Sequence, residues 1–139
     1  MTEFLLATDS VHTSAAACDY LEDRLRDDDV VAVLSVREAG AHPRDAGDAL
    51  NVATVRLGAL PSVEVTAETR EGEAAAAVLD VLGSGGIDEI VVGARGGAPD
   101  APDAPADLGR TTRVILVEST VPVVVLPVDS AYPTASGYG

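Results

Sequence analysis

Apolar residues along this chain form short continuous runs, separated by segments in which apolar positions recur every three or four residues. Continuous runs of this length are typical of strands that are buried on both faces of a parallel sheet. Two of them are Phe4–Ala7 and Val30–Val36, the second broken by Ser35, and a third is formed by Ile87 and Ile90–Val92. These runs predict three strands in the interior of a sheet.

The segments with helical spacing lie between and after these runs. In the first segment Ala17, Cys18, Leu21 and Leu25 fall on one side and acidic residues fall elsewhere, which indicates an amphipathic helix. The four predicted helices are Thr13–Arg26, Asp45–Leu57, Glu73–Leu82 and Leu108–Val117. The run Asp27-Asp28-Asp29 after the first helix predicts a solvated turn.

Two further strands complete the pattern. Apolar and polar residues alternate strictly over Val63–Glu68, which predicts a strand with one exposed face or at the edge of the sheet. Val121–Val128 is a last strand with Pro122 and Pro127, and proline in sheets is largely confined to edges and strand ends. Five strands separated by helices predict a single α/β domain over residues 1–128, with a parallel sheet and right-handed crossovers, and a tail over residues 129–139.

The charge of the chain narrows the classes of partner. There are 23 acidic and nine basic residues, which gives a net charge of −14 and argues against nucleic acid as the main partner. All nine basic residues are arginine. At about 1 M salt the screening length is only about 3 Å, so such a charge is tolerated there. The composition therefore predicts a halophilic, haloarchaeal-type protein, with an ordinary acidic protein as the alternative.

The chain shows no signal for export or for a membrane. No basic residue precedes Arg24, and the longest apolar run near the end, Val121–Val128, is far shorter than the roughly 20 residues that a membrane helix needs. The single cysteine, Cys18, lies among apolar residues and cannot form an internal disulfide. We expect a soluble cytoplasmic protein.

Ligands of open parallel sheets bind beyond the carboxyl ends of the strands, where the strand order reverses. Thr8-Asp9-Ser10, Val36-Arg37 and Gly93–Gly97 follow predicted strands, and the glycines of the last let the backbone approach a phosphate. Gly109-Arg110-Thr111-Thr112 opens a helix, whose free N–H groups and threonine hydroxyls favour an anion. Taken alone, either glycine cluster favours a structural turn over a phosphate site.

In this order along the chain, the segments resemble the universal stress protein family, whose domains carry the adenine-nucleotide signature G-x2-G-x9-G-[S/T] after the fourth strand. The resemblance covers nearly the whole chain. It rests on Thr8-Asp9-Ser10, the run Ile87–Gly93, the pair Gly93 and Gly96, Leu108-Gly109, and Val121–Val125. It implies a five-stranded parallel sheet of order 3-2-1-4-5 with helices on both faces, a Rossmann-like nucleotide-binding fold.

The resemblance also implies roles for individual residues. Asp9 and Val36 would contact adenine or ribose, and Thr112 would donate its hydroxyl to the ligand. The glycines that would line the phosphates are Gly93, Gly96 and Gly109. From their position beside these residues, Thr8, Arg110 and Thr111 are further candidates for the binding site.

The chain departs from the family signature in two ways. Twelve residues separate Gly96 from Gly109 where the signature has nine, and Arg110 stands where serine or threonine is expected. Arginine could clamp a phosphate with its planar fork, or it could point to solvent. The Pro/Asp/Ala-rich tract Gly96–Asp107 predicts an extended, mobile loop. Its aspartates would repel a triphosphate unless salt or a divalent cation screened them.

Other chemistry is disfavoured by the pattern. Without lysine the chain has no Walker-type phosphate loop. Asp9, Ser10 and His12 are crowded into one turn and cannot form a hydrolase triad, and His12 and His42 do not make a zinc site. We therefore expect no catalytic residues and no metal site.

The last strand suggests a partner. In the strand order of the family, Val121–Val128 lies at a sheet edge, and an uncharged apolar edge is normally protected in a soluble protein. Pairing with the same strand of a second copy would cover it. We expect a homodimer through this strand, with cover by the tail around Tyr132 and Tyr138 as the alternative.

These observations predict a small stress-response module that binds ATP or AMP, with or without Mg²⁺, and acts through dimerisation on a signalling partner that the sequence does not identify. Slow ATP hydrolysis stays open, because Asp9 and a bound Mg²⁺ could position a water molecule. One alternative is an interaction module of the same fold whose phosphate loop has degenerated. Another is an enzyme that acts on adenylated substrates.

Overall fold

The computed structural model describes residues 1–40, 43–94 and 108–127. Strands and helices alternate along these residues, and each helix connects two strands. The elements are β1 (Glu3–Thr8), α1 (Val11–Glu22), β2 (Val30–Arg37), α2 (Pro43–Gly58), β3 (Glu64–Glu71), α3 (Ala74–Gly83), β4 (Glu89–Gly93), α4 (Arg110–Glu118) and β5 (Val123–Leu126).

The five strands form one parallel sheet in the order β3-β2-β1-β4-β5, which confirms the predicted fold. The chain builds outward from β1 to β3 and then returns to add β4 on the other side of β1. The strand order therefore reverses between β1 and β4. Crevices for ligands form beyond the carboxyl ends of the strands at such a reversal.

Two apolar clusters cover the two faces of the sheet. One contains Phe4, Leu6 and Val31 from the sheet with residues of α1 and α2, among them Leu21 and Leu57. The other contains a different set from the same strands, packed against α3 and α4. Its buried members are Leu5, Leu34, Val36, Val78, Ile87, Ile90, Val92 and Ile115. Adjacent strand residues alternate between the two clusters, as the pleat of a strand requires, so the interior strands must be apolar throughout.

The edge strands differ from the interior ones as their patterns predicted. β3, whose residues alternate between apolar and polar, lies at one edge and is mostly exposed. β5 lies at the other edge and is shorter than expected, Val123–Leu126 instead of Val121–Val128. Val128 lies outside the described residues, as do the tract from residue 95 to 107 and the tail from residue 129.

The first helix begins and ends earlier than predicted, at Val11 and Glu22 instead of Thr13 and Arg26. Ser10 caps its beginning, because its hydroxyl accepts a hydrogen bond from the Thr13 N–H at 3.1 Å. After its end the chain turns towards β2.

The predicted solvated turn at Asp27-Asp28-Asp29 is wrong for its third residue. Asp29 is only 5% exposed. Its carboxylate accepts hydrogen bonds from the backbone N–H groups of Thr2, at 2.9 Å, and Arg26, at 2.8 Å. Asp29 therefore joins the beginning of β1 to the turn that leads into β2, a contact between residues 27 positions apart that composition cannot indicate.

Two glycines make the turn between α3 and β4 possible. Gly85 and Gly86 have φ angles of +89° and +95°, a region that residues with a Cβ rarely adopt. Within the described parts of the chain, no helix is both long enough and apolar enough to cross a membrane.

Candidate functional site

The candidate site lies at the carboxyl ends of β1 and β4, where the strand order reverses. Leu6 of β1 is opposite Val91 of β4, which brings Thr8 and Gly93, each two residues further along, to the same edge of the sheet. Both α1 and α4 begin just beyond this edge. The predicted residues of the β1–α1 turn and of the α4 N-terminus therefore lie at the same edge of the sheet.

On the β1 side, buried hydroxyl groups set the shape of the turn. Thr8 is 5% exposed, and its hydroxyl lies 3.1 Å from the Ser10 carbonyl oxygen. The Ser10 hydroxyl both caps α1 and donates to the Thr13 hydroxyl at 3.1 Å. Asp9 lies between these two fixed residues and is exposed. The turn therefore holds Asp9 at the sheet edge.

Ser14 links this turn to the neighbouring helix. It is fully buried, and its hydroxyl donates to the Ala49 carbonyl oxygen of α2 at 2.7 Å. The Thr8 hydroxyl oxygen lies 2.8 Å from that of Ser14. The single hydroxyl hydrogen of Ser14 points at the Ala49 carbonyl oxygen, and that of Thr8 is shared between the Ser10 carbonyl oxygen and the Ser14 hydroxyl oxygen. A directed chain of hydrogen bonds thus runs from β1 through α1 to α2.

A second buried serine repeats this arrangement one strand away. Ser35 of β2 is fully buried and donates its hydroxyl to the Ala46 carbonyl oxygen at 2.8 Å. Ala46 and Ala49 are themselves buried, and their small side chains let α2 lie close to the strand ends. The first half of α2 is therefore held over β1 and β2 by two hydroxyl groups.

Val36 lies at the end of β2, one residue past the level at which β1 stops. The last residue of β1, Thr8, is opposite Ser35. The Val36 side chain is buried in the apolar cluster on the α3 and α4 side of the sheet. What Val36 offers to a ligand beyond the sheet edge is therefore its backbone.

On the β4 side, three hydrogen bonds join the end of β4 to β5 and to the beginning of α4. The Ala94 N–H donates to the Leu126 carbonyl oxygen of β5 at 2.7 Å, and the Gly109 N–H donates to the Ala94 carbonyl oxygen at 2.8 Å. The hydroxyl of Thr112, which is 4% exposed, donates to the Gly93 carbonyl oxygen at 2.7 Å. The beginning of α4 is thus fastened to the end of β4. Gly96 lies outside the described residues.

The beginning of α4 points its backbone donors into this region. Gly109 is the N-cap residue and forms no side-chain cap, because it has no side chain. The first N–H groups of a helix have no partner within the helix, and the positive end of its dipole lies there. These are the N–H groups of Arg110, Thr111 and Thr112. Thr111 is half-buried and Arg110 is exposed.

One carboxylate, that of Glu73, lies beside the Arg110 guanidinium group. Its Nη2 lies 3.2 Å from Glu73 Oε2, and the side chains are 81% and 52% exposed. Glu73 is the N-cap residue of α3 but does not cap it. That role falls to Glu38 from the loop after β2, whose Oε2 accepts from the Ala74 N–H at 2.8 Å. The α3 and α4 side of the site is therefore lined by exposed charges.

Nucleophiles and metal ligands are not assembled in the described residues. The fully buried Cys18 thiol has its pKa raised to about 11, mainly by burial, so it stays protonated near neutral pH. The Ser10 hydroxyl is engaged with Thr13 and the His12 side chain is exposed. No group of three His, Cys, Asp or Glu side chains within residues 1–40, 43–94 and 108–127 is arranged to hold a metal ion.

A shallow hollow elsewhere on the described surface lies away from this site. It is lined by Met1, Asp28, Ser62 and their neighbours, at the amino ends of β2 and β3. This is the edge of the sheet opposite to the one at which the strand order would place a ligand.

Sequence reasoning missed the residues that hold the site together. Ser14 and Ser35 are polar residues at positions where the pattern of α1 and β2 demands apolar ones, and this mismatch could have identified them. Glu38 and Glu73 carried no such signal, because their partners lie 36 and 37 positions away.

Comparisons with known proteins agree with the fold. No family profile and no curated protein sequence matches the chain, but solved structures do. The hypothetical protein MJ0577 superposes with a TM-score of 0.76 at 17% identity, over 92% of this chain and 96% of that one. The universal stress protein UspA from Lactobacillus plantarum gives 0.73 at 22% identity, over 90% and 97%.

A universal stress protein family protein from Arabidopsis thaliana, solved with AMP bound, gives a TM-score of 0.66 at 14% identity, over 93% of both chains. In all three cases the similarity extends over nine-tenths or more of each chain. It includes the five-stranded parallel sheet with its strand order. The chain therefore has the fold of the universal stress proteins.

Proposed function

We propose that this chain is a universal-stress-type module that binds ATP or AMP in the crevice between β1 and β4 and acts as a homodimer in the cytoplasm, without catalytic residues of its own. One observation carries the proposal. The Ala94–Gly109 and Gly93–Thr112 hydrogen bonds hold the end of β4 and the beginning of α4 together at the point where the strand order reverses. A backbone donor site for an anion belongs at such a place.

The adenosine half of the ligand would lie on the β1 and β2 side. Asp9, presented by the fixed turn between Thr8 and Ser10, would accept hydrogen bonds from ribose or adenine. The backbone of Val36 would contact the base. This side is tied down by buried, uncharged hydroxyls, which suits a rigid part of the ligand.

The phosphates would lie against Gly93, Gly109 and the first turn of α4, with Gly96 as a further contact. Thr112 directs its hydroxyl hydrogen to Gly93, so its contribution to the ligand would come through its backbone N–H. Thr111 and Arg110 would supply a hydroxyl and a guanidinium group. Mg²⁺ would arrive with the phosphates of ATP, because the described residues assemble no carboxylate cluster for it.

The test is calorimetry with adenosine, AMP and ATP in molar KCl with Mg²⁺, together with the shift of the unfolding temperature. Binding of the nucleotides with a stabilisation that grows with ligand concentration is expected. If no ligand gives heat or a thermal shift, the chain does not bind adenine nucleotides and the proposal is wrong.

A second function, an interaction module that has lost the nucleotide, is favoured by Arg110. This residue replaces the expected serine or threonine, and its guanidinium group is already paired with Glu73. The same calorimetry separates the two functions. Turnover of an adenylated substrate that is lost in Asp9→Ala would instead indicate an enzyme.

The proposed dimer interface is the outer edge of β5. The backbone groups of Pro122 and Leu126 face β4, since their carbonyl oxygens accept from Ile90 and Ala94. Along a strand of a parallel sheet, the backbone N–H and C=O groups of successive residues face opposite sides. The N–H and C=O groups of Val123 and Val125 therefore face outward, away from β4. A second copy related by a two-fold axis would pair with these groups and cover the apolar strand.

Val125→Pro tests this interface, because it removes one outward N–H group and no hydrogen bond to β4. We expect light scattering at high salt to give a dimer for the parent and for the control Val125→Thr, and a monomer for Val125→Pro. A parent protein that is already a monomer would disprove the dimer.

We also propose that the chain requires high salt, on the strength of its charge of −14 and its lack of lysine. Repulsion between carboxylates opposes folding in dilute buffer and is screened within about 3 Å at about 1 M salt. The free energy of unfolding should rise as KCl is raised towards 1 M or higher. Highest stability in dilute buffer would contradict this proposal.

A further inference from the structure

The contact between Arg110 and Glu73 lies where the proposed phosphates would bind. Arg110 is the first residue of α4, so its guanidinium group is attached beside the helix N–H groups that would receive the anion. Its Nη2 is directed instead at Glu73 Oε2, 3.2 Å away. A carboxylate oxygen and a phosphate oxygen accept the same hydrogen bonds from a guanidinium group.

Glu73 is available for this contact because another carboxylate has taken its usual role. An N-cap side chain normally satisfies the first N–H groups of its own helix. Here Glu38 accepts from Ala74 at the beginning of α3, and Glu73 makes no capping hydrogen bond. The Glu73 side chain therefore stabilises α3 little and is oriented across the sheet edge towards α4.

The ion pair is weak enough to exchange. Its two side chains are 81% and 52% exposed, and exposed pairs of this kind contribute little net stability because water and salt screen them. A phosphate group offers more charge and more acceptor oxygens than one carboxylate. The guanidinium group can therefore leave Glu73 for a phosphate, but each phosphate must compete with a carboxylate that is already in place.

We propose that Glu73 is a specificity-determining residue, whose carboxylate competes with the ligand phosphates for Arg110 and lowers their affinity without affecting adenosine. This inference rests on the proposed binding of adenine nucleotides. Glu73 thus sets how strongly the site distinguishes ligands by their phosphate charge. Its removal increases affinity, which loss of a merely structural contact would not do.

The experiment measures dissociation constants of adenosine, AMP and ATP by calorimetry in molar KCl for the parent and for Glu73→Gln. The substitution should lower the dissociation constants of AMP and ATP by about two- to fivefold, the range that corresponds to the free energy of an exposed ion pair. Adenosine should bind equally to both proteins. In the Arg110→Ala background, Glu73→Gln should no longer change the dissociation constant of either nucleotide, because the guanidinium group for which the Glu73 carboxylate competes is gone.

The matched control is Glu71→Gln, which removes the same charge two residues away from a side chain that pairs with Arg37 at 3.6 Å instead of Arg110. If Glu71→Gln tightens the nucleotides as much as Glu73→Gln does, the effect is one of overall charge and the inference is wrong. It is also wrong if adenosine binds but Glu73→Gln leaves AMP and ATP unchanged. If none of the ligands binds to the parent or to Glu73→Gln, the proposed nucleotide binding itself has failed.

Discussion

The two sides of the candidate site are built with different chemistry. On the side of α1 and α2, neutral hydroxyls that are buried in the protein connect β1, β2 and α2. On the side of α3 and α4, exposed arginine and glutamate side chains form the contacts at the edge, and one buried hydroxyl, that of Thr112, holds α4 to β4.

The difference between buried hydroxyls and exposed ion pairs suits one sheet edge to a ligand that has a neutral half and a charged half. A buried hydrogen bond is shielded from water, so its geometry and strength change little with salt. An exposed ion pair is weak and salt-sensitive, and can exchange its partner. The hydroxyl side is therefore rigid, and the charged side can rearrange around an anion.

The largest expected effect concerns the charged side. Arg110→Ala should weaken the binding free energy of ATP by about 1.5–3 kcal/mol more than that of adenosine, since this is the contribution of a charge-assisted hydrogen bond. Calorimetry of both ligands measures it. Arg113→Ala, which removes an exposed arginine one turn further along α4, is the control. Equal losses for ATP and adenosine would mean that Arg110 does not contact the phosphates.

The next effect concerns the hydroxyl side. Ser14→Ala should lower the free energy of unfolding by about 1–3 kcal/mol, because it removes two buried hydrogen bonds, one with the Ala49 carbonyl oxygen and one with the Thr8 hydroxyl, each contributing about 0.5–1.5 kcal/mol. The loss should be the same at low and high KCl. Urea unfolding measures it against Ser84→Ala, whose hydroxyl bonds the Val81 carbonyl oxygen on the exposed surface. Similar losses for both variants would remove the distinction between the two sides.

A smaller effect is expected where the end of β4 meets the beginning of α4. Thr112→Val keeps the shape of the side chain but loses the hydrogen bond to Gly93, at a cost of about 0.5–1.5 kcal/mol in the free energy of unfolding. The binding of AMP should weaken more than that of adenosine, because only the Gly109–Ala94 hydrogen bond then joins the beginning of α4 to the end of β4. Thr54→Val, whose hydroxyl bonds only carbonyl oxygens of its own helix, should leave both affinities unchanged.

The smallest effect tests a charged contact on the hydroxyl side. Arg56 of α2 bonds Asp19 and Glu22 of α1 at 2.8 and 2.9 Å, and these hydrogen bonds raise the pKa of Arg56 further above its usual range. Arg56→Met should cost about 1 kcal/mol or less. Unlike the loss in Ser14→Ala, this cost should fall as KCl rises. A cost that does not depend on salt would show that the contact is not electrostatic.

Much of the fold could be predicted because its determinants are local. The uninterrupted apolar run of β2 indicated a strand with both faces buried, and the alternation in β3 indicated an edge. Both were confirmed by the strand order. The limits of α1 were wrong because Ser10 and Asp29 decide where the chain turns, and Asp29 does so through a hydrogen bond to Thr2.

The candidate site could be located from the sequence, since the carboxyl ends of parallel strands meet at one edge and the glycines and the α4 N-terminus follow them. Which side chains are engaged there could not be predicted. Thr112 bonds Gly93, and Arg110 bonds Glu73, across 19 and 37 positions of the chain. Such pairs depend on the packing of helices against the sheet, so they produce no periodic pattern in the sequence.

By itself, the sequence determined the class of fold, the alternation of strands and helices, the burial of the central strands and the strongly acidic surface. These follow from side-chain hydrophobicity at periods of two and 3.6 residues, which acts within a single element. Only the tertiary structure decided that Ser14 and Ser35 hold α2 in place and that Glu73 forms an ion pair with Arg110. A hydrogen bond between distant residues exists only after the sheet has brought its strand ends together.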